Sequence, residues 1–262
     1  MVSDTASGDT ENWVVLDLFA GLGGFSQAFE ESDRWDVFTV DVEERFDPDL
    51  QADVLELRPA DLLELVGLDR DEIDVLLILA SPPCTQFSLA ASRYERFVDG
   101  EPQTDDAREA VALVYHTIGL IKSLSPDYWF LENPQGYLRQ VLGRPTGRVT
   151  WCQYGTDWMK PTDLWGDHPP MEYKACSYGD DCHNNTDQAH GGQGNCRDTW
   201  YDDMGDKIRD PAKRAKVPRN LSAAIRDAVE DEIASPSPVQ TELPAATDGG
   251  EPRSKSTTDS ER

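Results

Sequence analysis

Short apolar runs alternate with longer amphipathic segments through most of the chain. Trp13–Phe19 (WVVLDLF), Asp36–Val42 (DVFTVDV), Ile73–Ala80 (IDVLLILA) and Asp127–Asn133 (DYWFLEN) are mainly apolar, as in strands buried on both faces of a sheet. Residues 106–124 carry apolar positions at helical spacing. Strands that alternate with helices predict an α/β fold with a mostly parallel sheet and helices on both faces.

The pattern also predicts how the chain is organised. We expect one ordered domain over residues 13–154, followed by an irregular region rich in Gly, Asp, Asn and Pro over 155–205. Residues 206–233 return to an amphipathic helix that packs back on the sheet. Residues 1–12 and 234–262 have too few apolar groups to offset the entropy of ordering, and we expect disordered tails there.

The charge is strongly unbalanced, with 50 acidic and 24 basic residues and a net charge of −26. An excess of one sign along the whole chain favours adaptation to strong salt. At about 1 M salt the Debye length is only about 3 Å, so acidity does not exclude a nucleic-acid partner. No run reaches the roughly 18 apolar residues of a membrane helix, and no secretory signal is apparent. We expect a cytoplasmic monomer with no membrane partner.

The five cysteines are too few and too scattered for a disulfide scaffold. Cys176, Cys182 and Cys196 lie in one stretch with His183 and His190, and four of these side chains are enough for a zinc site. The five residues between Cys176 and Cys182 make a looser spacing than structural zinc sites show. We therefore favour a surface loop with incidental thiols and predict no metal site, with zinc as the alternative.

The first strand runs directly into a glycine-rich turn, DLFAGLGG, and then a helix. Gly21 and Gly23 let a ligand approach the backbone at the carboxyl end of the strand. Asp41 ends the second strand 20 residues after Gly21, where a carboxylate suits ribose hydroxyls, and Asp53 suits an adenine amino group. Together they predict an adenosine-containing ligand. Each aspartate alone could instead be a helix cap.

A cysteine follows two prolines in SPPCTQFS, just after the third apolar run. Pro82 and Pro83 stiffen the backbone there, so the Cys84 thiol is held in a fixed direction. It is either a small buried hydrophobe or a thiol at the rim of a cleft. Glu132, in LENP, ends the next strand. Such a carboxylate is either a functional acid or only a cap or ion-pair partner.

DLFAGLGGFS, SPPCTQFS and LENP, in this order, resemble motifs I, IV and VI of the cytosine-5 DNA methyltransferases. The resemblance covers Val14–Tyr154 well and the last third only loosely. It implies a Rossmann-like, S-adenosylmethionine-dependent methyltransferase fold whose catalytic and cofactor-binding domain is 13–154. It further implies a small target-recognition region at 155–205 and a DNA substrate, with RNA not excluded and a non-catalytic binding protein of the same fold as an alternative.

The resemblance assigns roles to individual residues. Cys84 would be the covalent nucleophile that adds to carbon 6 of cytosine. Glu132 would hold a proton near ring nitrogen 3, which requires a pKa raised by burial. Pro134 stands where the family usually has valine. The residues expected to bind S-adenosylmethionine are Phe19, Gly21, Gly23, Asp41, Asp53 and Pro82.

Motif VIII of the family, glutamine–x–arginine, has an imperfect match in RVTWCQYG. Gln153 aligns with the glutamine, and we expect it to be catalytic. Gly155 occupies the place of the arginine. Arg148, on the same predicted strand, is one candidate to replace that arginine and is otherwise a surface residue.

Contacts with nucleic acid are expected from two segments. The polar segment 85–103 after the cysteine, which includes Arg93, is either a loop that closes over an extruded base or a plain exposed loop. Lys213, Arg214 and Lys216 belong to the one basic cluster of an acidic chain. They suit phosphate contacts, and the alternative is a solvated helix end.

The charge balance predicts an unusual response to salt. Lowering the salt should unfold the protein by self-repulsion, so methyl transfer should be absent below roughly 0.5 M salt and present above it, where charges are screened. Far-ultraviolet circular dichroism and methyl transfer, followed from about 0.1 to about 3 M potassium chloride, measure this. A protein that is folded and most active at the low end would contradict salt adaptation.

Overall fold

The structure, a computed structural model, describes residues 11–89, 96–177, 180, 182 and 210–236. The predicted tails lie almost wholly outside these residues. The expected recognition region is described only as far as residue 177 and at the two positions 180 and 182.

A single seven-stranded sheet organises the described chain, in the order β3-β2-β1-β4-β7-β9-β8. The strands from β3 to β7 in this order are parallel, whereas β9 runs antiparallel to both of its neighbours. Strands β5 and β6 form a separate antiparallel pair. The strands are β1 (Trp13–Leu18), β2 (Trp35–Asp41), β3 (Leu50–Gln51), β4 (Val75–Ala80), β5 (Phe97–Val98), β6 (Glu101–Pro102), β7 (Tyr128–Pro134), β8 (Gly147–Thr150) and β9 (Pro161–Trp165). This mostly parallel sheet confirms the predicted α/β fold.

The helices cover both faces of the sheet. They are α1 (Gln27–Glu30), α2 (Pro59–Val66), α3 (Asp105–Leu124), α4 (Leu138–Leu142), α5 (Pro211–Ala215) and α6 (Arg219–Ala234). Short 3₁₀ turns cover Glu44–Phe46, Val54–Glu56, Arg70–Glu72 and Trp151–Tyr154. Helix α3 begins after Thr104, whose hydroxyl accepts the Ala107 N–H at 3.2 Å and satisfies one exposed donor of the first turn. None of the described helices is both long and apolar enough to cross a membrane.

Alternate residues of the central strands feed two cores on opposite faces of the sheet. Val15 of β1 packs in the cluster that includes Phe29 of α1 and Ile225 of α6. Val14 packs in the cluster that includes Leu62 of α2 and Ile121 of α3. All six are fully buried. Because successive side chains of a strand point to opposite faces and both faces are covered, the strands carry near-continuous apolar runs.

Residues 161–165 differ from the expected organisation, which placed them in the irregular region. They form β9, which inserts between β7 and β8, with Leu164 opposite both Glu132 and Gly147. Its polar Asp163 is fully buried but forms an ion pair with Arg139 of α4. A proline at the start and a buried aspartate in the middle hide this strand from a search for apolar runs.

Candidate active site

Strands β1, β4 and β7 bring the predicted site residues to one edge of the sheet. Parallel neighbours end at the same edge, and Leu18 of β1 lies in register with Ala80 of β4. The Ser81 N–H donates to the Leu18 carbonyl at 3.1 Å and extends this pairing beyond the strands. Cys84 and Glu132 both lie at this carboxyl edge, where open α/β sheets bind ligands.

The backbone around Cys84 is fixed by hydrogen bonds. Its carbonyl accepts the Phe87 N–H at 3.1 Å and the Ser88 N–H at 2.9 Å, which closes a turn directly after Cys84. The Asn133 side chain donates to the Pro82 carbonyl at 2.9 Å. Cys84 itself is half-buried, so its thiol is oriented by a rigid turn and remains accessible.

A second contact joins the loop after Cys84 to the end of β7. Ser88 and Gly136 form an isolated antiparallel bridge, and the Tyr137 N–H donates to the Phe87 carbonyl at 2.8 Å. A side chain at Gly136 would place its Cβ 2.1 Å from that carbonyl oxygen, so only glycine fits. The two loops therefore hold Cys84 and Glu132 in a fixed relation.

Glu132 is a buried acid with an unused oxygen. It is only 5% exposed, and its Oε1 atom has no hydrogen-bond partner within the part of the chain that the structure describes. Burial raises its pKa; the positive charge of Lys160 opposes this, and Asp163 adds to it. A buried carboxyl with a raised pKa holds a proton that it can give to a ligand in the cleft.

Lys160 is a site residue that the sequence reasoning missed. It directly precedes β9, and its Nζ lies 3.5 Å from the centroid of the Trp151 ring and 3.4 Å from the Arg214 carbonyl, to which it donates. Burial lowers its pKa, and the negative charges of Glu132 and Cys84 oppose that effect. No sequence signal marked this lysine, because the strand that follows it does not read as an apolar run.

The charges around Cys84 act in both directions. Burial raises the pKa of its thiol, the positive charge of Lys160 is the largest opposing influence, and Glu132 raises the pKa again. Arg214 also lowers it. Two cations therefore stabilise the thiolate, which is the nucleophilic form of cysteine.

The residues considered for motif VIII lie in β8 and in the turn that follows it. Gln153 is half-buried in the 3₁₀ turn after β8, and its catalytic role stays a prediction. Arg148 is exposed on β8. Lys160, instead, is the residue whose charge reaches Cys84 and Glu132.

The glycine-rich turn after β1 has the backbone of a ligand-binding loop. Phe19, Gly21 and Gly23 all have positive φ angles, of 64°, 55° and 64°. Such a conformation is strained for phenylalanine, and strain of this kind clusters at functional sites. Asp41 accepts the Gly21 and Glu43 N–H groups at 2.9 Å each and is 8% exposed, so it clamps the turn against the end of β2.

Two cavities flank the predicted cofactor residues. One of about 480 Å³ is lined by Gly21 and Gly23 together with Thr39 and Asp49. A second, of about 330 Å³, is lined by Pro82 together with Leu55, Thr85 and Leu113. Asp53 accepts the Leu55 N–H at 2.9 Å and so caps the turn that borders the second cavity.

The predicted nucleic-acid contacts are partly described. Lys213 and Lys216 are exposed on and directly after α5, and Arg214 is half-buried with its charge reaching Cys84. Helix α5 thus borders the candidate active site. Arg219, the last residue of the basic cluster, forms an ion pair with Glu31. Arg93 lies outside the described residues.

The sequence between β1 and the start of β8 matches a known family. Residues 14–146, half of the chain, match the model of the C-5 cytosine-specific DNA methylases. The chain belongs to this family. The matched residues include Cys84, Glu132 and the glycine-rich turn, and the family implies the S-adenosylmethionine-dependent methyltransferase fold.

Three Type II methyltransferases are similar to this chain over part of their length. The Type II methyltransferase M.XorII of Xanthomonas oryzae pv. oryzae is 28% identical over 133 residues, 47% of this chain and 28% of that protein. M.DdeI of Desulfomicrobium norvegicum is 29% identical over 134 residues, 47% and 28% of the two chains. M1.HphI of Haemophilus parahaemolyticus is 27% identical over 145 residues, 52% and 36%. The matched region therefore spans about a third of each relative.

Lys160 lies beyond the segment that matches the C-5 DNA methylases. Because its charge lowers the pKa of Cys84, we expect Lys160→Met to raise that pKa and reduce the thiolate fraction. Alkylation of Cys84 by iodoacetamide near pH 8, followed by mass spectrometry of its peptide, should slow about threefold or more.

Lys174→Met is the matched control, because this lysine is exposed and its ammonium lies 3.6 Å from the Glu172 carboxylate. It should alkylate at the wild-type rate. Equal rates for Lys160→Met and the wild type would contradict the assigned influence of Lys160 on Cys84.

Proposed function

We propose that this protein transfers a methyl group from S-adenosylmethionine to carbon 5 of cytosine in DNA, through a covalent adduct with Cys84. The observation that carries the proposal is the buried Oε1 of Glu132, which has no partner among the described residues and lies at the same edge as a rigidly held thiol. Membership of the C-5 cytosine-specific DNA methylases supports it.

The nucleophilic step follows from the chemistry of the ring. Carbon 5 of cytosine is a poor nucleophile until a thiolate adds to carbon 6. In this step the sulfur of Cys84 forms a bond to carbon 6, and the electron pair of the 5,6 double bond moves into the ring toward nitrogen 3. Lys160 and Arg214 favour the thiolate before this addition.

Glu132 acts in the same step as the acid that protonates the ring. The proton that burial retains on its carboxyl passes to nitrogen 3 as electron density accumulates there. The Glu132 carboxylate left behind is stabilised by Lys160. After carbon 5 has taken the methyl group, nitrogen 3 returns its proton to Glu132 and the proton on carbon 5 is lost to water. The electron pair of the C5–H bond re-forms the 5,6 double bond, and the bond between carbon 6 and sulfur breaks with its electron pair going to Cys84.

The chain offers a fitting site for the methyl donor. Above Gly21 and Gly23 an added Cβ would meet no atom closer than 3.7 Å, so the turn leaves room for a ligand against the backbone. When bound, S-adenosylmethionine supplies an electrophilic methyl group. The residues proposed to hold it are Phe19, Gly21, Gly23, Asp41, Asp53 and Pro82.

DNA is proposed to approach across α5. Lys213 and Lys216 are exposed there and can contact phosphates, while the Arg214 carbonyl accepts a hydrogen bond from Lys160 inside the site. A cytosine must leave the helix to reach a thiol in this cleft. Helix α5 would thus contact the DNA backbone and at the same time border the cleft that holds the extruded base.

The nucleophile is tested directly by substitution. Cys84→Ser should reduce methyl transfer to DNA by about 10³-fold or more, since a hydroxyl adds to carbon 6 far less readily. S-adenosylmethionine binding, measured by calorimetry, should be retained. DNA containing 5-fluorocytosine should trap the wild type covalently, because fluorine cannot leave carbon 5 as a proton does.

Labelled methyl donor offered with mixed DNA and RNA tests which nucleic acid is the substrate.

Glu132→Gln keeps the shape of the side chain and should also lose methyl transfer. Full activity of Cys84→Ser would refute the covalent mechanism. Methylation of RNA alone would refute the DNA assignment, and cofactor binding without any methylation would indicate a non-catalytic member of the fold.

The cofactor site is tested by two aspartates that each bind backbone N–H groups. Asp41→Ala should weaken S-adenosylmethionine binding by about 1–3 kcal/mol, because it removes the clamp on Gly21 and an acceptor for the ribose. Asp49→Ala removes the acceptor for the Thr39 N–H and hydroxyl, at 2.8 and 2.7 Å, in the larger cavity, and should bind normally. Calorimetry that finds the reverse order would assign the contact with the cofactor to Asp49 rather than to Asp41.

A further inference from the structure

Three cysteine side chains converge at the end of β8. The Sγ atoms of Cys152, Cys176 and Cys182 all lie within 4.8 Å of one another. Cys152 is 3.1 Å from Cys176 and 3.6 Å from Cys182. The sequence had placed Cys176 and Cys182 together, but Cys152 was not expected to join them. His183, His190 and Cys196, considered with them, lie outside the described residues.

Backbone hydrogen bonds explain how the Cys152 thiol comes close to the thiols of Cys176 and Cys182. Cys152 lies in the 3₁₀ turn that follows β8. The Thr150 N–H donates to the Lys174 carbonyl at 2.9 Å, and the Cys176 N–H donates to the Thr150 hydroxyl at 3.3 Å. Residues 174–176 therefore run along the end of β8, which places the Cys176 side chain beside Cys152.

The geometry suits one metal ion better than a pair of thiols. Tetrahedral zinc with Zn–S distances near 2.3 Å separates its sulfur ligands by about 3.8 Å. The observed separations of 3.1 and 3.6 Å approach this value without any change of backbone. A disulfide would use only two of the three sulfurs. Thiolates are soft ligands, and a site made of three of them favours zinc over magnesium or calcium.

The three cysteines differ in their exposure to solvent. Cys152 and Cys176 are buried, whereas Cys182 is half-buried and so leaves a path for an ion. We propose that Cys152, Cys176 and Cys182 bind one zinc ion as thiolates, with one further ligand completing the coordination. Each thiol gives its proton to solvent as its bond to the metal forms. The role is structural, because the ion would tie Cys176 and Cys182 to Cys152 at the end of the sheet.

The proposed ion would also support the candidate active site. Trp151, next to Cys152, donates its backbone N–H to the Lys160 carbonyl at 3.2 Å, and its ring lies 3.5 Å from the Lys160 Nζ. Zinc binding would therefore fix the neighbour of the lysine that acts on Cys84. The metal proposal itself does not depend on the proposed reaction.

Metal content of the full chain tests the site. Protein purified under reducing conditions without chelator should contain about one zinc per chain by mass spectrometry of the metal. Replacing zinc with cobalt should give the near-ultraviolet absorption of cobalt–thiolate bonds. Cys182→Ser should lose most of the metal, and Cys84→Ser, which changes a cysteine outside the cluster, should retain it.

Thermal unfolding gives a second readout that is independent of activity. A chelator should lower the Tm of the wild type by about 5 °C or more and leave that of Cys182→Ser unchanged. Circular dichroism verifies that this half-buried loop variant is folded.

Two outcomes would overturn the proposal. In the first, the reduced and folded wild type contains no zinc and gives no cobalt absorption. A wild type that forms a Cys152–Cys176 disulfide and takes up no metal after reduction counts as the same outcome. The second is full metal content in both Cys182→Ser and Cys152→Ser.

Discussion

The candidate site depends on bringing three ionisable groups together at the carboxyl edge of the sheet, where Glu132 is buried and Cys84 and Lys160 are half-buried. Cys84, Glu132 and Lys160 each lose favourable hydration there, which by itself favours the neutral form of each. The charge on Lys160 partly offsets this for both acids. The pKa values of both Glu132 and Cys84 nevertheless remain above their ordinary values, so the carboxyl retains a proton, and Lys160 and Arg214 lower the cost of ionising the thiol. This arrangement suits a reaction that needs a thiolate and an acid at once.

Three strands separated in sequence must hold this arrangement. Cys84 follows β4, Glu132 belongs to β7, and Lys160 precedes β9. Local contacts remove the freedom of the loops, since Asn133 binds the Pro82 carbonyl and Gly136 packs directly on Phe87. The glycine and the amide side chain are thus parts of the site, although neither is placed to react. Preorganisation of this kind reduces the entropy lost when a substrate binds.

The sequence predicts those parts of the site that have local signals. The glycine-rich turn, Cys84 and Glu132 each follow or end an apolar strand, and parallel strands share an edge, so their meeting could be predicted. Lys160 and Cys152 had no such signal. Their positions depend on the antiparallel insertion of β9 between β7 and β8, which is a pairing between distant segments that no local periodicity specifies.

Salt screens the net negative charge of the chain much more strongly than it screens the charges inside the candidate site. The net charge of −26 acts mainly through solvent, where at about 1 M salt it is screened within about 3 Å. The attraction of Lys160 for Glu132 and Cys84 passes through buried protein, and such pairs are screened much less. The proposed contacts of Lys213 and Lys216 with phosphates, by contrast, would weaken as salt rises. High salt is therefore expected to leave the interactions inside the site largely intact, and in the proposed reaction recognition of DNA would rest increasingly on the base held in the cleft.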